Sequence, residues 1–263
     1  MIMHSNAVEV RVDGSVGTVV LNRPDFGNAI TRSMIAELRE AFTDLYQEKR
    51  VRAVILTGRG DSFCVGRDPA EAHAGDDPMA DMARWGDEAN EYRDLLAAML
   101  ELPKPLLAAV NGPALAGGAG MVLACDAVIA CEASAFGFPE PRRGSVAGVA
   151  APLLAHRVGA GQAARLLVTS ATIDAAEAHR IGLYHEMIET DLLWARAFDL
   201  GKDCSAAAPQ AVQLTKRLLY ETVGEQLTTQ LTSGAIASAT SRTTESSKEG
   251  IAAHNEGREP EWP

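Results

Sequence analysis

The sequence lacks the features that would place it among disulfide-rich or membrane-spanning proteins. Its four cysteines include no CxxC pair, aromatic residues make up only 5% of its 263 residues, and the thiols lie in apolar surroundings. No apolar run reaches the roughly 18 residues of a membrane span, and the start of the chain shows no basic segment followed by an apolar one. We therefore expect reduced, packed cysteines and a cytoplasmic protein.

Positive charge is also scarce. Lysine and arginine total 24 against 35 aspartates and glutamates, which gives a formal net charge of −11. This balance argues against nucleic acid or an anionic membrane as a partner, so an anionic ligand would need local positive groups. The histidines show no metal-ligand spacing, and we expect no metal site. They are His4, His73, His156, His179, His185 and His254.

Apolar periodicity in the first half of the chain predicts strands alternating with helices. A hairpin is indicated around Asp13-Gly14, a helix over 31–48, and buried strands by "RAVILTG", "PLLAAVNG" and "AVIACE". Residues 68–86, interrupted by two prolines, read as a loop or irregular helix, and a helix is expected over 90–102. The pattern favours an α/β core with crossover connections.

Helices dominate the sequence from residue 147 onward. One short apolar segment, "LYHEMIE", lies among them, and the chain ends in a charged helix. We place a core domain at 1–200 and a C-terminal helical region at 201–263, which we expect to mediate oligomerisation. The predicted helices cover 147–157, 161–169, 174–180, 191–206, 208–222 and 224–239.

Two glycine-containing turns each follow a predicted parallel strand. They are "TGRGDSFCVGRD" and "NGPALAGGAG", and ligands of open α/β sheets bind where such strands end. A backbone N–H from each turn could stabilise one developing oxyanion. Close helix packing explains the second turn equally well. Neither turn fits a dinucleotide fingerprint or a P-loop, and no GxSxG elbow indicates a serine hydrolase.

An ordered series of segments covers nearly the whole chain and resembles the enoyl-CoA hydratase/isomerase family, the crotonases. The series is "LNRP…NAIT" (21–31), "AVILTGRGDSFCVGRD" (53–68), "KPLLAAVNGPALAGGAGMVLACDAVIA" (104–130), "AFGFPEPRRG" (135–144) and "SKEGIAAHNEGREPEW" (247–262). The resemblance implies a crotonase-like ββα superhelix core, a C-terminal helical trimerisation region, and a homotrimer or dimer of trimers. It also implies an acyl-CoA thioester substrate, with coenzyme A carried by the substrate and no separate cofactor.

The resemblance further implies roles for individual residues. The N–H groups of Arg67 and Gly117 would hold the thioester oxygen, and Glu140 would be the acid/base. The flanking prolines of Glu140 predict an extended, rigid loop. Gly120 stands where hydratases of this family carry a first glutamate. A single carboxylate would suffice for isomerisation of a double bond, and hydroxycinnamoyl-CoA hydratase-lyases and a catalytically inactive acyl-CoA-binding protein remain alternatives.

Contacts with coenzyme A are expected from charged residues in three parts of the chain. The candidates are Arg23, Arg67, Asp68, Lys248 and Arg258. For Arg67 the commoner arrangement of an arginine, a side chain in solvent, competes with a phosphate contact, and for Asp68 a helix-capping role is favoured over catalysis. His254 stands at the place of a family aromatic near the adenine.

Overall fold

A computed structural model describes residues 7–71 and 77–263 as an α/β structure. Its strands are β1 (Val8–Asp13), β2 (Val16–Leu21), β3 (Ala53–Gly58), β4 (Leu106–Val110), β5 (Ala114–Leu115), β6 (Ala127–Cys131), β7 (Ala135–Gly137), β8 (Thr172–Asp174) and β9 (Glu186–Ile188). Its helices are α1 (Arg32–Gln47), α2 (Pro78–Glu101), α3 (Gly117–Ala124), α4 (Ala151–Thr169), α5 (Ala175–Arg180), α6 (Leu193–Ala206), α7 (Pro209–Ser241) and α8 (Glu245–Glu256). The predicted α/β class is confirmed, and a role of the C-terminal helices in trimerisation stays a prediction.

The larger sheet has six strands in the order β1-β2-β3-β4-β6-β9. The β1–β2 hairpin is antiparallel, as Asp13-Gly14 predicts, and the remaining pairs are parallel. Successive residues of its strands face two different cores: Val54 and Leu56 pack in the larger cluster, and Ile55 packs in the smaller one beneath α6. Burial on both faces explains why these strands are continuous apolar runs.

The smaller sheet consists of β5, β7 and β8. Its first strand lies directly before α3, and β7 leads into the loop that carries Glu140. These strands have only two or three residues, which is too few for the period-two pattern that identifies a strand from sequence. This sheet brings the second glycine turn and the Glu140 loop to neighbouring positions.

Helix α2 corrects the prediction of an irregular segment over 68–86 and of a helix that begins only at 90. It starts at Pro78, where the side chain of Asp77 accepts hydrogen bonds from Met79 N (2.9 Å) and Ala80 N (3.4 Å). Pro78 therefore occupies the first turn, where a missing N–H costs nothing, instead of breaking the helix. Residues 72–76 of the predicted loop lie outside the described residues.

The C-terminal helices differ from prediction mainly in their continuity. The helices predicted at 208–222 and 224–239 form the single helix α7, so the glycine at 224 does not interrupt it. In α4, by contrast, Gly159 (φ +75°) breaks the helical backbone, in agreement with the separate helices predicted on either side. The boundary predicted between residues 200 and 201 lies within α6, and the division into two domains stays a prediction.

Several local predictions are confirmed. The Thr31 side chain caps α1 by accepting a hydrogen bond from Met34 N at 3.2 Å. All four cysteines are free, with Cys64, Cys125 and Cys131 buried and Cys204 partly buried. Among the described helices, none combines the length and apolar character needed to cross a membrane. Cytoplasmic localisation stays a prediction.

Candidate active site

The two glycine turns lie against each other at the carboxyl ends of β3 and β4. Leu115 N donates a hydrogen bond to Cys64 O at 2.9 Å, which joins the two segments. A Cβ placed on Gly66 (φ +101°) would lie 2.6 Å from Ala116 Cβ and 3.5 Å from Gly117 N. Any side chain at Gly66 would therefore separate the turns, which explains the glycine there.

The N–H groups of Arg67 and Gly117 are available at this junction. Ile30 N donates a hydrogen bond to Gly66 O, and Asp68 N donates one to Ile30 O. Arg67 lies between Gly66 and Asp68, and its N–H takes no part in this pairing. Gly117 is the first residue of α3, where a backbone N–H has no partner within the helix. Neither N–H donates a hydrogen bond to any of the residues that the structure describes.

The run of small residues from 116 to 120 serves both close packing and access to the backbone. A Cβ on Gly118 would lie 2.1 Å from Cys64 O, so this glycine is required by packing alone. Ala116 has φ 51° and ψ −123°, a conformation that costs energy for any residue with a side chain. Such strain is commonly retained where a backbone must present its polar groups to a ligand.

Glu140 lies on the wall of the same cavity as both turns. It begins a 3₁₀ helix (Glu140–Arg143) and is not in the extended loop that its flanking prolines predict. Pro141 is tolerated because it falls in the first turn of that helix, where no N–H is needed. Ser145 N donates to Glu140 O at 3.0 Å, and the next turn packs so closely on α8 that a Cβ on Gly144 would lie 2.0 Å from Ser246 O. The segment that carries Glu140 is therefore held firmly in place, in a 3₁₀ conformation instead of the predicted extended one.

The Glu140 carboxyl is shielded from water on one oxygen. Oε2 is buried and has no hydrogen-bond partner within the described structure. This desolvation raises the pKa of Glu140 from 4.5 to about 7, against a smaller opposing effect of a backbone hydrogen bond and of Arg143. Near neutral pH the group can thus accept or donate a proton, which is what a general acid/base requires.

Tyr92 fills the space beside Gly120, the position at which the resemblance described above implies a first glutamate in hydratases. A Cβ on Gly120 would lie 2.2 Å from the Tyr92 hydroxyl oxygen. That hydroxyl donates a hydrogen bond to Gly117 O at 2.6 Å. Burial raises the pKa of Tyr92 well above its usual value, so the hydroxyl stays protonated. A glutamate at position 120 could not enter unless Tyr92 moved.

The Arg67 side chain does not extend into solvent, which corrects the arrangement favoured from sequence. Its exposed fraction is 24%, and its Nη2 forms an ion pair with the buried carboxylate of Glu88 in α2. Arg242, at the end of α7, binds the same carboxylate oxygen at 2.8 Å. The Arg67 backbone therefore faces the junction of the turns while its side chain is held by α2.

Arg23 and Asp68 form a second ion pair next to this junction. Arg23 Nη2 lies 2.8 Å from Asp68 Oδ2, and both side chains are largely buried. Asp68 also accepts a hydrogen bond from Ala70 N at 2.9 Å, the capping role expected from sequence. Asp68 lines the cavity, whereas Arg23 does not line it and contacts Asp68. Contacts of either residue with coenzyme A stay predictions.

The remaining candidates for coenzyme A contacts lie on α8 and just after it. Lys248 pairs with Glu245, and Arg258 pairs with Glu249 and Glu256. Both side chains are exposed, and neither lines the cavity, whereas His254 does. The structure thus brings Glu140, Gly117, Arg67 and Asp68 to one cavity and leaves Lys248 and Arg258 on the surface.

Among the cavity-lining residues that were not identified from the sequence are Trp85, Glu88, Tyr92 and Arg242. The first three recur at helical spacing along α2, so a correct start for that helix would have placed them on one face. Arg242 comes from a different helix, and no local pattern indicates its position. Over residues 7–71 and 77–263 no group of potential metal ligands occurs, and His4 and His73 lie outside these ranges.

The chain is thus an α/β protein with a candidate ligand cavity. This cavity is lined by the two glycine turns that follow β3 and β4 and by helices that include α2. The model of the enoyl-CoA hydratase/isomerase family matches residues 11–263. A putative enoyl-CoA hydratase of Thermus thermophilus is 37% identical over 255 residues, covering 95% of this chain and 98% of that protein.

Two further comparisons agree with this match. A mevalonyl-coenzyme A hydratase of Aspergillus fumigatus is 32% identical over 257 residues, covering 93% of this chain and 90% of that protein. The crystal structure of an enoyl-CoA hydratase from Mycobacterium avium has a TM-score of 0.87 and 28% identity, covering 97% of this chain and 98% of that chain. The chain belongs to the enoyl-CoA hydratase/isomerase family and is an enzyme that acts on acyl-CoA.

Proposed function

We propose that this enzyme hydrates an enoyl-CoA or shifts its double bond, using Glu140 as its only carboxylate acid/base. The N–H groups of Arg67 and Gly117 would stabilise the negative charge that develops on the thioester oxygen. The observation that carries the proposal is the buried, unpartnered Oε2 of Glu140 in the cavity that the two turns also line. An oxyanion donor of this kind contributes roughly 3 kcal/mol to transition-state stabilisation.

Among the described residues, the other carboxylates that line the cavity each bind another group of the protein. This supports a mechanism with a single carboxylate as acid/base. Asp68 pairs with Arg23, and Glu88 pairs with two arginines. Glu71 accepts a hydrogen bond from Arg32 N at 3.0 Å. In a shift of the double bond from position 3 to position 2, Glu140 would remove a proton from the α carbon and return it to the γ carbon. In hydration it would assist addition of a water oxygen to the β carbon and of a proton to the α carbon.

The Tyr92 hydroxyl supports the same proposal from the other side of the site. It occupies the space of a second carboxylate and, by donating to Gly117 O, fixes the turn that presents Gly117 N. We assign Tyr92 a positioning role.

The test is a product analysis on trans-2-enoyl, 3-enoyl and aryl-enoyl CoA thioesters. Wild-type protein is expected to turn over at least one of them, and Glu140→Gln is expected to lose activity about a thousandfold while still binding the thioester. Glu132→Gln, an exposed glutamate of the same region, is the matched control. Unchanged turnover in Glu140→Gln would reject the acid/base assignment. Aldehyde release would indicate a hydratase-lyase, and inactivity on all three an inactive acyl-CoA-binding homologue.

The proposed assembly is a homotrimer or a dimer of trimers. Helix α7 exposes several large apolar side chains, namely Leu214, Leu218, Leu219 and Ile236, each more than half accessible. Exposed apolar residues concentrated on one helix are typical of an interface between subunits. Sedimentation or light scattering on the purified protein tests this, and a monomer at micromolar concentration would reject it.

A further inference from the structure

One region of the cavity is built from charged side chains. Arg67 and Arg242 both contact Oε2 of Glu88, whose side chain is 7% exposed. Each guanidinium is about three quarters buried and has five N–H donors, whereas Glu88 provides a single carboxylate. The two arginines therefore have more hydrogen-bonding capacity than their shared partner can satisfy.

Two buried donors in this region have no partner among the described residues. They are Arg67 Nη1 and the indole Nε1 of Trp85, and both side chains line the cavity. Native proteins leave few buried donors unpaired, and an unpaired one commonly marks a place that a ligand or water completes. These two donors belong to different elements, so one local distortion does not account for both.

The surrounding charges do not satisfy these donors. Arg67 Nη2 binds the main-chain oxygen of Glu71 at 2.9 Å, and the Glu71 carboxylate receives the Arg32 N–H. Arg84 forms its own ion pair with Asp81 at 2.7 Å. Burial lowers the pKa of Arg242 to about 10, with repulsion from Arg67 as the next cause, so an added anion would be stabilised here.

We propose that this region binds a carboxylate carried by the acyl group, so that the preferred substrates are CoA monothioesters of dicarboxylic acids. The inference rests on the proposed function, because the same cavity must hold the thioester near Glu140. A carboxylate in this region would offer acceptor oxygens to the unpaired donors and a second counter-charge to the two arginines that share Glu88. A hydrocarbon tail would instead leave these donors unpaired, which is unfavourable.

The first test compares the binding of unreactive, saturated thioesters of equal chain length. Succinyl-, glutaryl- and adipoyl-CoA are titrated calorimetrically against butyryl-, pentanoyl- and hexanoyl-CoA. At least one diacid thioester is expected to bind about ten- to a hundredfold more tightly than its neutral counterpart, the range for hydrogen bonds to charged groups. If no diacid is preferred, the carboxylate site is rejected, whatever the enzyme's activity.

Turnover separates this inference from the proposed function. Hexenedioyl-CoA and its monomethyl ester are assayed side by side with hexenoyl-CoA. Loss of turnover on all thioesters, with diacid binding retained, would overturn the proposed catalysis and leave the carboxylate site standing. Equal kcat/KM for the acid and its ester, together with equal affinities, would overturn the carboxylate site alone.

Variants of Arg242 test the residues. Arg242→Gln is expected to reduce the preference for the diacid about tenfold or more, and Arg242→Lys, which keeps the charge, to retain most of it. Arg217→Gln removes an exposed charge from the same helix and is expected to leave the preference unchanged. Circular dichroism and hexanoyl-CoA binding confirm that each variant is folded. An undiminished diacid preference in folded Arg242→Gln would remove Arg242 from the site.

Discussion

Glu140 and Glu88 are glutamates on the wall of one cavity in opposite environments. Glu140 has a buried oxygen without a partner, and burial raises its pKa to about 7. Glu88 is also buried, but it is held by two guanidinium groups. Glu140 can thus exchange a proton near neutral pH, whereas Glu88 holds two arginine side chains in place.

The difference follows from the elements that carry the two residues. Glu140 stands at the start of a 3₁₀ helix, two residues after the fully buried Phe138, and its Oε2 has no partner among the described residues. Glu88 lies within α2, where the Arg67 loop and the end of α7 converge on it. Burial without a hydrogen-bond partner favours the neutral form of Glu140, whereas the carboxylate of Glu88 binds two guanidinium groups.

The largest effect on stability is expected from Glu88→Gln. The change leaves two largely buried guanidiniums without a counter-charge, which typically costs about 3–5 kcal/mol of the free energy of unfolding. Glu140→Gln removes no ion pair and is expected to leave that free energy unchanged or higher at pH 8. Urea denaturation of both variants measures the difference, and equal losses would refute the contrast between the two sites.

The next effect is the dependence of stability on pH. The unfolded Glu140 side chain ionises near pH 4.5 and the folded one near pH 7, so its contribution is fully present below pH 4.5 and is lost as pH rises to 7. The loss is on the order of 3 kcal/mol. The difference in stability between wild type and Glu140→Gln should therefore change across this window.

The same titration should also shape activity. If Glu140 acts as a base, kcat/KM rises with pH through an apparent pKa near 7. A kcat/KM profile that is flat between pH 5 and 8, with chemistry and not substrate binding limiting the rate, would contradict the raised pKa. Glu132→Gln provides the control for general effects of pH on this region.

A smaller effect is expected at Gly120. Gly120→Ala places a Cβ 2.2 Å from the Tyr92 hydroxyl, and such overpacking costs about 1–3 kcal/mol. Tyr92→Phe should relieve part of this cost, giving non-additive free energies in a double-mutant cycle. Gly86→Ala, in α2 with open space around it, is the matched control and should stabilise slightly. Additive effects would show that Tyr92 and Gly120 do not compete for one space.

The smallest effect concerns the helix that carries Glu88 and Tyr92. Asp77→Ala removes the side chain that caps α2 and should cost about 1 kcal/mol. Thermal denaturation measures this loss, and Asp77→Asn, which keeps an accepting oxygen, should restore most of it. An unchanged melting temperature in Asp77→Ala would mean that the cap contributes nothing to the start of α2.

The parts of the fold that can be predicted from sequence have strong local signals. Apolar strand runs, the Asp13-Gly14 hairpin and the Thr31 cap are examples, because each is set by residues close together in the chain. The two glycine turns and Glu140 were also identified, with the family resemblance assigning their roles. Whether they act as assigned stays a prediction.

Other features were predicted wrongly, one through a local cap that was not recognised and two because they depend on distant contacts. Pro78 was interpreted as a helix breaker, although Asp77 makes it the start of α2. Glu140 lies between two prolines and was expected in an extended loop. It lies in a 3₁₀ helix instead, and the turn at the end of that helix packs against α8. The Arg67 side chain was expected in solvent, because its partner Glu88 could not be recognised from spacing.

The sequence by itself determined the α/β class, the buried parallel strands and the glycine positions where two turns can meet, because periodicity and backbone freedom are local properties. Only the tertiary structure decided that Tyr92 occupies the space beside Gly120, that Arg67 and Arg242 share Glu88, and that Glu140 is desolvated. Electrostatic environment and packing are properties of assembled neighbours, and those neighbours come from helices far apart in the chain.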